Sequence, residues 1–377
     1  MSIIIGADMV PTKSNVEHFN NGDGIILVGN ELYDFLQGAD YRVFNLEVPL
    51  VDEPSPIKKQ GPNLIAPTSA IKGFSALKVN LLTLANNHIL DQGKTGLFST
   101  IQTLEGVGIA YVGAGSTLYE AQKPYVFECA SKRIGVYACA EHEFSIAEED
   151  KPGANPFDPL WSLDHIEDLK KRVDYVITLY HGGKEHYRYP SPILQKTCRR
   201  IVDKGADLVI CQHSHCIGCE EKYRNGTIVY GQGNFIFDDS DDECWQTSLL
   251  VEVKDDFSIS YVPLVKNMHG VCIAEGNRAK EIMDDFSIRS EEILKPSFIK
   301  NTYINTANSS ICYYLWALSG RRSFAFRVLN RLSGGRYLIN YLNKTYGVPE
   351  QLRIANYLDC EAHRELVSQA LANAYLE

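Results

Sequence analysis

The sequence predicts an α/β domain built around sheets, followed by a helical module. Three observations carry that reading. From residue 3 to about 264, short apolar runs alternate with helix-like stretches, the pattern of strands covered by helices. Chemistry-bearing polar residues gather where the apolar runs end. After about Lys266 the sheet-like runs give way to long helical patterns, so the expected domains are 1–268 and 269–377.

Taken in order, the expected strands are 2–5, 41–45, 81–84, 109–112, 133–138, 175–179, 208–210, 227–230 and 247–253. Each has the length and the β-branched, apolar content of a buried strand. Helices are expected between them at 29–36, 69–77, 93–105, 163–171 and 191–204, and beyond them at 309–332, 336–344 and 349–376.

At 377 residues with 45% hydrophobic and 22% charged, the chain has ordinary globular composition and can bury a sizeable core. Its 47 acidic against 37 basic residues leave a net charge of −10, which excludes the footprint of a general nucleic-acid binder. The charge is uneven. From Val271 onward there are 13 basic and 11 acidic residues, and no acid separates Glu292 from Glu350, while Lys295, Lys300, Arg321, Arg322, Arg327, Arg331, Arg336 and Lys344 fall between them. Interleaved with Phe324, Phe326, Val328, Leu329 and Leu332, these basic helices suit either a cap on the sheets or a peripheral contact with an anionic membrane or a synthase.

Met1 runs straight into Ser2-Ile3-Ile4-Ile5-Gly6 without a basic n-region or apolar h-region, so a cytoplasmic address is expected. No run approaches the roughly 18 apolar residues of a membrane span, the nearest being 311–318. Ten dispersed cysteines read as reduced thiols. Cys216-Ile217-Gly218-Cys219 is formally CxxC, but a second pair at zinc-ribbon spacing is missing. Val112-Gly113-Ala114-Gly115 lacks the third glycine of a dinucleotide fingerprint.

The candidate chemistry lies at the strand ends. Gly6-Ala7-Asp8 and Asn45-Leu46-Glu47 each follow an apolar run with an acid; taken singly, Asp8 also reads as a loop-capping aspartate. Leu81 to Leu84 leads into Ala85-Asn86-Asn87-His88, then Asp91 and Gly93; an Asx-turn is one reading, and a metal held by the Asn87 carbonyl oxygen with His88 left free to donate a proton is the other. Two further strands end in His181 and in His213-Ser214-His215. A side-chain period of two would send His213 and His215 to one side of the chain. Imidazoles mixed with carboxylates favour a two-metal hydrolytic site over a structural zinc.

The order and wording of these segments resemble the CapA family of poly-gamma-glutamate capsule biosynthesis proteins, a branch of the calcineurin-like metallophosphoesterases. The matching phrases are Val43-Phe44-Asn45-Leu46-Glu47-Val48-Pro49-Leu50, Leu84-Ala85-Asn86-Asn87-His88-Ile89-Leu90-Asp91-Gln92-Gly93, Gly108-Ile109-Ala110-Tyr111-Val112-Gly113-Ala114-Gly115, His181-Gly182-Gly183-Lys184-Glu185, the run from Gly205 to His215, and Tyr230-Gly231-Gln232-Gly233-Asn234-Phe235. The resemblance covers roughly residues 3–265 and implies a four-layer α-β-β-α sandwich with one or two divalent metal ions, manganese, zinc or iron. It implies Asp8, Glu47, Asn87, His181, His213 and His215 as metal ligands, and His88 as the catalytic imidazole, with Asp91 and Glu185 beside it. Asn45, Asn86, Lys184, Arg188 and Asn234 are then candidate substrate contacts. Two positions depart from the wider superfamily: Val10 stands where it places a histidine, and Glu47 where it places a bridging aspartate.

The expected activity is metal-dependent phosphoester hydrolysis in capsule or extracellular polymer synthesis, with water attacking phosphorus in line and His88 protonating the leaving oxygen. The expected substrate is a small molecule or polymer, phosphorylated or glutamate-rich. Two alternatives stay open: a non-hydrolytic polymer-binding or synthase-accessory role on the same scaffold, and amide hydrolysis by the same centre.

Overall fold

A computed structural model describes residues 1–237, 240–321 and 323–374. The chain opens with β1 (Ser2–Met9), α1 (Val16–Asn21), α2 (Gly24–Gly38) and β2 (Tyr41–Leu46). After a long loop come α3 (Ile71–Ala76), β3 (Leu81–Thr83), α4 (Gly93–Val107) and β4 (Ala110–Val112). Next are β5 (Ala114–Gly115), α5 (Leu118–Ala121), β6 (Tyr125–Cys129), β7 (Lys132–Ala140) and β8 (Gly153–Ala154). Then α6 (Ser162–Lys170), β9 (Tyr175–His181), α7 (Pro192–Asp203) and β10 (Leu208–Gln212) alternate. The strands end with β11 (Glu220–Tyr223), β12 (Gly226–Val229), β13 (Asn234–Ile236), β14 (Thr247–Lys254), β15 (Ile259–Lys266) and β16 (Val271–Ile273).

They form two large sheets and the small β5-β8 ladder. One sheet has the order β16-β15-β14-β1-β2-β3-β4, with β13 also paired to β1; the other runs β11-β12-β10-β9-β7-β6. Alternation along each strand explains the layering. Ile3, Ile5, Val43 and Leu81 from the first sheet meet Ile134, Val136, Ile177 and Ile210 from the second in one sealed cluster. The opposite faces, Ile4, Phe44 and Leu82 on one side and Tyr137, Val176 and Val209 on the other, bury residues of α1 to α4 and of α6 and α7 respectively. The result is the α-β-β-α sandwich that the resemblance implied. Gly6 permits one close contact in it: a Cβ there would sit 2.2 Å from the Phe44 ring.

The nine expected strands are all present. β5, β6, β8, β11, β13, β15 and β16 lie outside that expectation: all but β15 have five residues or fewer, and β15, largely half-buried, carries Pro263 inside its apolar run. The first compact unit extends to Ile299 rather than stopping at 268. The reason is α8 (Gly276–Glu292), whose Ile282 and Phe286 pack with Ile217, Leu249 and Ala274.

The second unit, 300–377, is helical. Most of α9 (Phe298–Leu318) belongs to it, followed by α10 (Phe324–Leu332), α11 (Arg336–Thr345), α12 (Val348–Asp359) and α13 (Glu361–Ala374). The expected helix at 309–332 is therefore two helices, parted at Gly320, which takes the left-handed φ of 64° common just past a helix end. The expected helix at 349–376 is likewise split, at Cys360, whose backbone is extended; its last two residues and Arg322 lie outside the described residues. No helix among the described residues is long and apolar enough to cross a membrane.

Candidate metal centre

Parallel strands bring their carboxyl ends to one edge, and the residues following them gather in one buried cluster. β1 carries Asp8 between Asn45 of β2 and Asn234 of β13. Its register slips between Ile5 and Asp8, the kind of bulge that re-aims a side chain; Gln232 and Gln212 donate to the Ile5 and Gly6 carbonyls at 2.9 and 3.1 Å. Asn86, after β3, donates to the Leu46 carbonyl at 2.8 Å and to Asn45 Oδ1 at 3.1 Å, and accepts from the His88 N–H at 3.1 Å. The facing sheet supplies His181 at the end of β9 and His213 and His215 just past β10.

Those two histidines do converge, but not through strand alternation. His213 and His215 have φ of 88° and 53°, a left-handed backbone that non-glycine residues adopt at a cost and that clusters at functional sites. Glu47, His213 and His215 offer ligand atoms all within 4.8 Å of one another. His181 joins them, its ring 4.8 Å from that of His213 and its Nε2 3.0 Å from Asn87 Oδ1 and 3.2 Å from Glu47 Oε1. Asp8 Oδ1 accepts from Asn45 at 2.7 Å, while its Oδ2 lies 3.6 Å from His215 Nδ1, itself 2.8 Å from Asn234 Oδ1.

Satisfaction fails here in one specific way. Asp8 Oδ2, both Glu47 oxygens and His213 Nδ1 are buried with no hydrogen-bond partner, a costly condition that a bound cation would relieve. Burial, reinforced by the Glu47 charge, pushes the Asp8 carboxyl up to about 8. Burial also raises Glu47. It holds His181 and His213 well below the usual imidazole range, helped by neighbouring imidazoles. Neutral imidazoles beside orphaned carboxylate oxygens are the donor set of a divalent cation, and the residues present fit one. Val10 takes no part: it lies in the apolar cluster with Ile4 and Met9.

At the rim, His88 Nδ1 stands 2.6 Å from Asp91 Oδ2, and its charge is felt by Glu47, His181 and His213. Asp91 Oδ2 also accepts from the Leu64 N–H at 2.6 Å, and its other oxygen ion-pairs with Lys59, whose side chain is only 2% exposed. Sequence reading missed Lys59; it sits in a polar loop with no periodicity, and only the docking of that loop on Asp91 and Gln92 buries it. It also missed Ser145, which ties the Asn87 carbonyl and the Leu90 N–H, and Trp245, whose ring lies 4.7 Å from that of His215 and whose N–H donates to His186.

Not every expected residue reaches the centre. Lys184 and Glu185 are exposed, near enough only for His213 and Glu47 respectively to feel their charge. Arg188 is committed elsewhere, to the Ile217 carbonyl at 3.2 Å and Glu243 at 2.8 Å. Cys216 has the free thiol of Cys244 as its hydrogen-bonding neighbour, while Cys219 is sealed in the core beneath the second sheet, so the CxxC thiols do not act together.

The chain is 29% identical over 233 residues to the capsule biosynthesis protein CapA of Bacillus anthracis, covering 59% of this chain and 57% of that one. It is 27% identical over 208 residues to the PGA biosynthesis protein CapA of Bacillus subtilis, covering 54% of each. The chain thus spans about half the length of the curated relatives it matches. A phosphatase structure from Mycoplasma pneumoniae aligns with 76% of this chain and 98% of its own, at 14% identity and a TM-score of 0.43. The family described as bacterial capsule synthesis protein PGA_cap matches residues 18–239, more than half of the sequence, and the protein belongs to that family.

Proposed function

We propose that this chain is a metal-dependent phosphoester hydrolase serving the synthesis of a capsule or other extracellular polymer, of the kind named for its Bacillus relatives. The observation that carries the reading is the set of orphaned buried donors, Asp8 Oδ2, both Glu47 oxygens and His213 Nδ1, facing His181 and His215. Glu47, His213 and His215 would hold one cation, and Asp8, beside His215, with His181 and Asn87, beside Glu47, are the further ligands a second would use. When bound, manganese, zinc or iron would neutralise phosphoryl oxygens and lower the pKa of a water. The protein's own part is to hold and move protons. Asp91 Oδ2 lies against His88 Nδ1, and for His88 to protonate the leaving oxygen its Nε2 must carry a proton while Nδ1 donates to Asp91. Asn45 and Asn86 lock the Asp8 and Asn87 segments in place.

One observation favours a second reading, a polymer-binding accessory without turnover. With Val10 in the apolar cluster, one imidazole of the wider superfamily's set is absent.

Elemental analysis of protein purified without chelator, beside hydrolysis of aryl phosphate mono- and diesters with added manganese, separates the two. The hydrolase reading expects bound metal, loss of metal and turnover in Asp8→Ala and His213→Ala, and in His88→Ala retained metal with turnover down about 10²–10⁴-fold. Absence of both metal and turnover in the unaltered protein would leave the accessory reading.

A further inference from the structure

The second unit keeps little of its apolar surface inside. Among its described residues Leu315, Phe326 and Leu342 are buried, whereas Phe324 and Leu332 are 77% and 80% exposed. In α10 the two kinds of residue occupy different faces. Phe326 turns inward, its ring 5.2 and 5.4 Å from those of Tyr337 and Tyr341 in α11. Phe324, Val328 and Leu332 recur every four residues along another face, and at 100° per residue Arg327 and Arg331 fall along one edge of that stripe.

The surrounding charge selects what the stripe can meet. Between Glu292 and Glu350 the sequence has eight lysines and arginines and no acid, in a chain of net charge −10. A second copy of the chain would bring this basic region against itself. A nucleic acid would pair with the arginines and leave the stripe in water. Of the other helices with exposed apolar residues, α12 and α13 carry Glu350, Asp359, Glu361 and Glu365, and α9, which exposes Ile304, Ile311, Tyr313 and Leu318, has Lys300 as its one basic residue.

We propose that α10, with the basic residues of α11, lies flat on an anionic lipid surface, Phe324, Val328 and Leu332 entering the acyl boundary and the arginines meeting lipid phosphates. The inference is independent of what the metal centre does.

Co-sedimentation of the full chain with vesicles of phosphatidylcholine alone, or mixed with phosphatidylglycerol, tests it. The expected result is binding to the mixed vesicles only, lost at roughly 0.5 M salt, where charges are screened within a few ångströms. Phe324→Asp with Leu332→Asp, both at exposed positions, should weaken that binding at least about tenfold. Failure of the unaltered protein to bind mixed vesicles, or equal binding to phosphatidylcholine alone, would overturn the proposal. So would self-association in sedimentation velocity that the double variant abolishes while vesicle binding is unchanged.

Discussion

In the unit ending at Ile299, Ile3, Ile4, Ile5, Phe44 and Phe235 are sealed from water, and the same interior holds Asp8, Glu47, Asn45 and Asn86. In the unit beginning at Lys300, Phe324, Leu332, Val348 and Leu366 stand mostly in solvent. The two regions have similar building blocks and opposite uses for them. Two sheets back to back bury enough apolar surface to offset the several kcal/mol that each desolvated carboxylate costs, so the first unit can keep Asp8 and Glu47 dry and under-satisfied. The helical unit has no such reserve. Its apolar groups face outward, and whatever energy they hold is available to a partner.

The largest test of this contrast removes core volume from the first unit. Phe44 is fully buried, 4.6 Å from the Phe235 ring and flush against Gly6. Phe44→Ala should cost about 3–5 kcal/mol in urea unfolding; a loss below about 1 kcal/mol would mean that the core does not carry the burden assigned to it.

Next comes the buried ion pair. In Lys59→Met, Asp91 keeps His88 and the Leu64 N–H but loses its cation, and the cost should be about 3 kcal/mol, the lower end for a broken buried pair. Adding Asp91→Asn should restore part of that loss, because the orphaned charge is gone. Strict additivity of the two substitutions would show that Lys59 and Asp91 do not act on each other.

Opposite in sign to common acid denaturation is the pH response of chelator-stripped protein. Asp8 has an ordinary value of 3.8 and is raised to about 8 in the folded chain, so between those values the folded state holds a proton that the unfolded state has released. Its contribution to stability is therefore complete below about 4 and drains away as pH rises towards about 8, by an order of a few kcal/mol. Manganese should reverse the loss by replacing the proton. Below about 6.5 the neutral His181 and His213 act in the opposite sense, so the test lies above it: a melting temperature of stripped protein that climbs from about pH 7 to about pH 8 would contradict the burial of Asp8 against Glu47.

Much of this first unit is legible in sequence, for a physical reason. Asp8, Glu47, Asn87, His181, His213 and His215 each follow an apolar strand directly, and parallel strands must deliver such residues to the same edge of a sheet. Lys59, Ser145 and Trp245 come from loops, where neither period nor spacing constrains direction, and burial of Lys59 is decided by contacts with Asp91 and Gln92 far along the chain. The turn at His213 is similar: histidines two apart suggest convergence, but the positive φ values that achieve it leave no trace in residue type. In the helical unit the period was readable and the breaks were not, since Ser319-Gly320 and Cys360 interrupt patterns that are otherwise continuous.

The smallest effect completes the comparison from the other side. Leu332 is as apolar as any residue of the sandwich, yet it is 80% exposed, so Leu332→Ala removes almost no buried area and should change unfolding free energy by no more than about 0.5 kcal/mol. The informative condition is the same measurement with phosphatidylglycerol vesicles present. A side chain that enters the acyl boundary stabilises the chain only when lipid is there, so the variant and the unaltered protein should coincide in buffer and separate on vesicles. A loss of 2 kcal/mol or so in buffer alone, the size expected for a buried leucine, would instead place Leu332 inside the fold and make the two units alike.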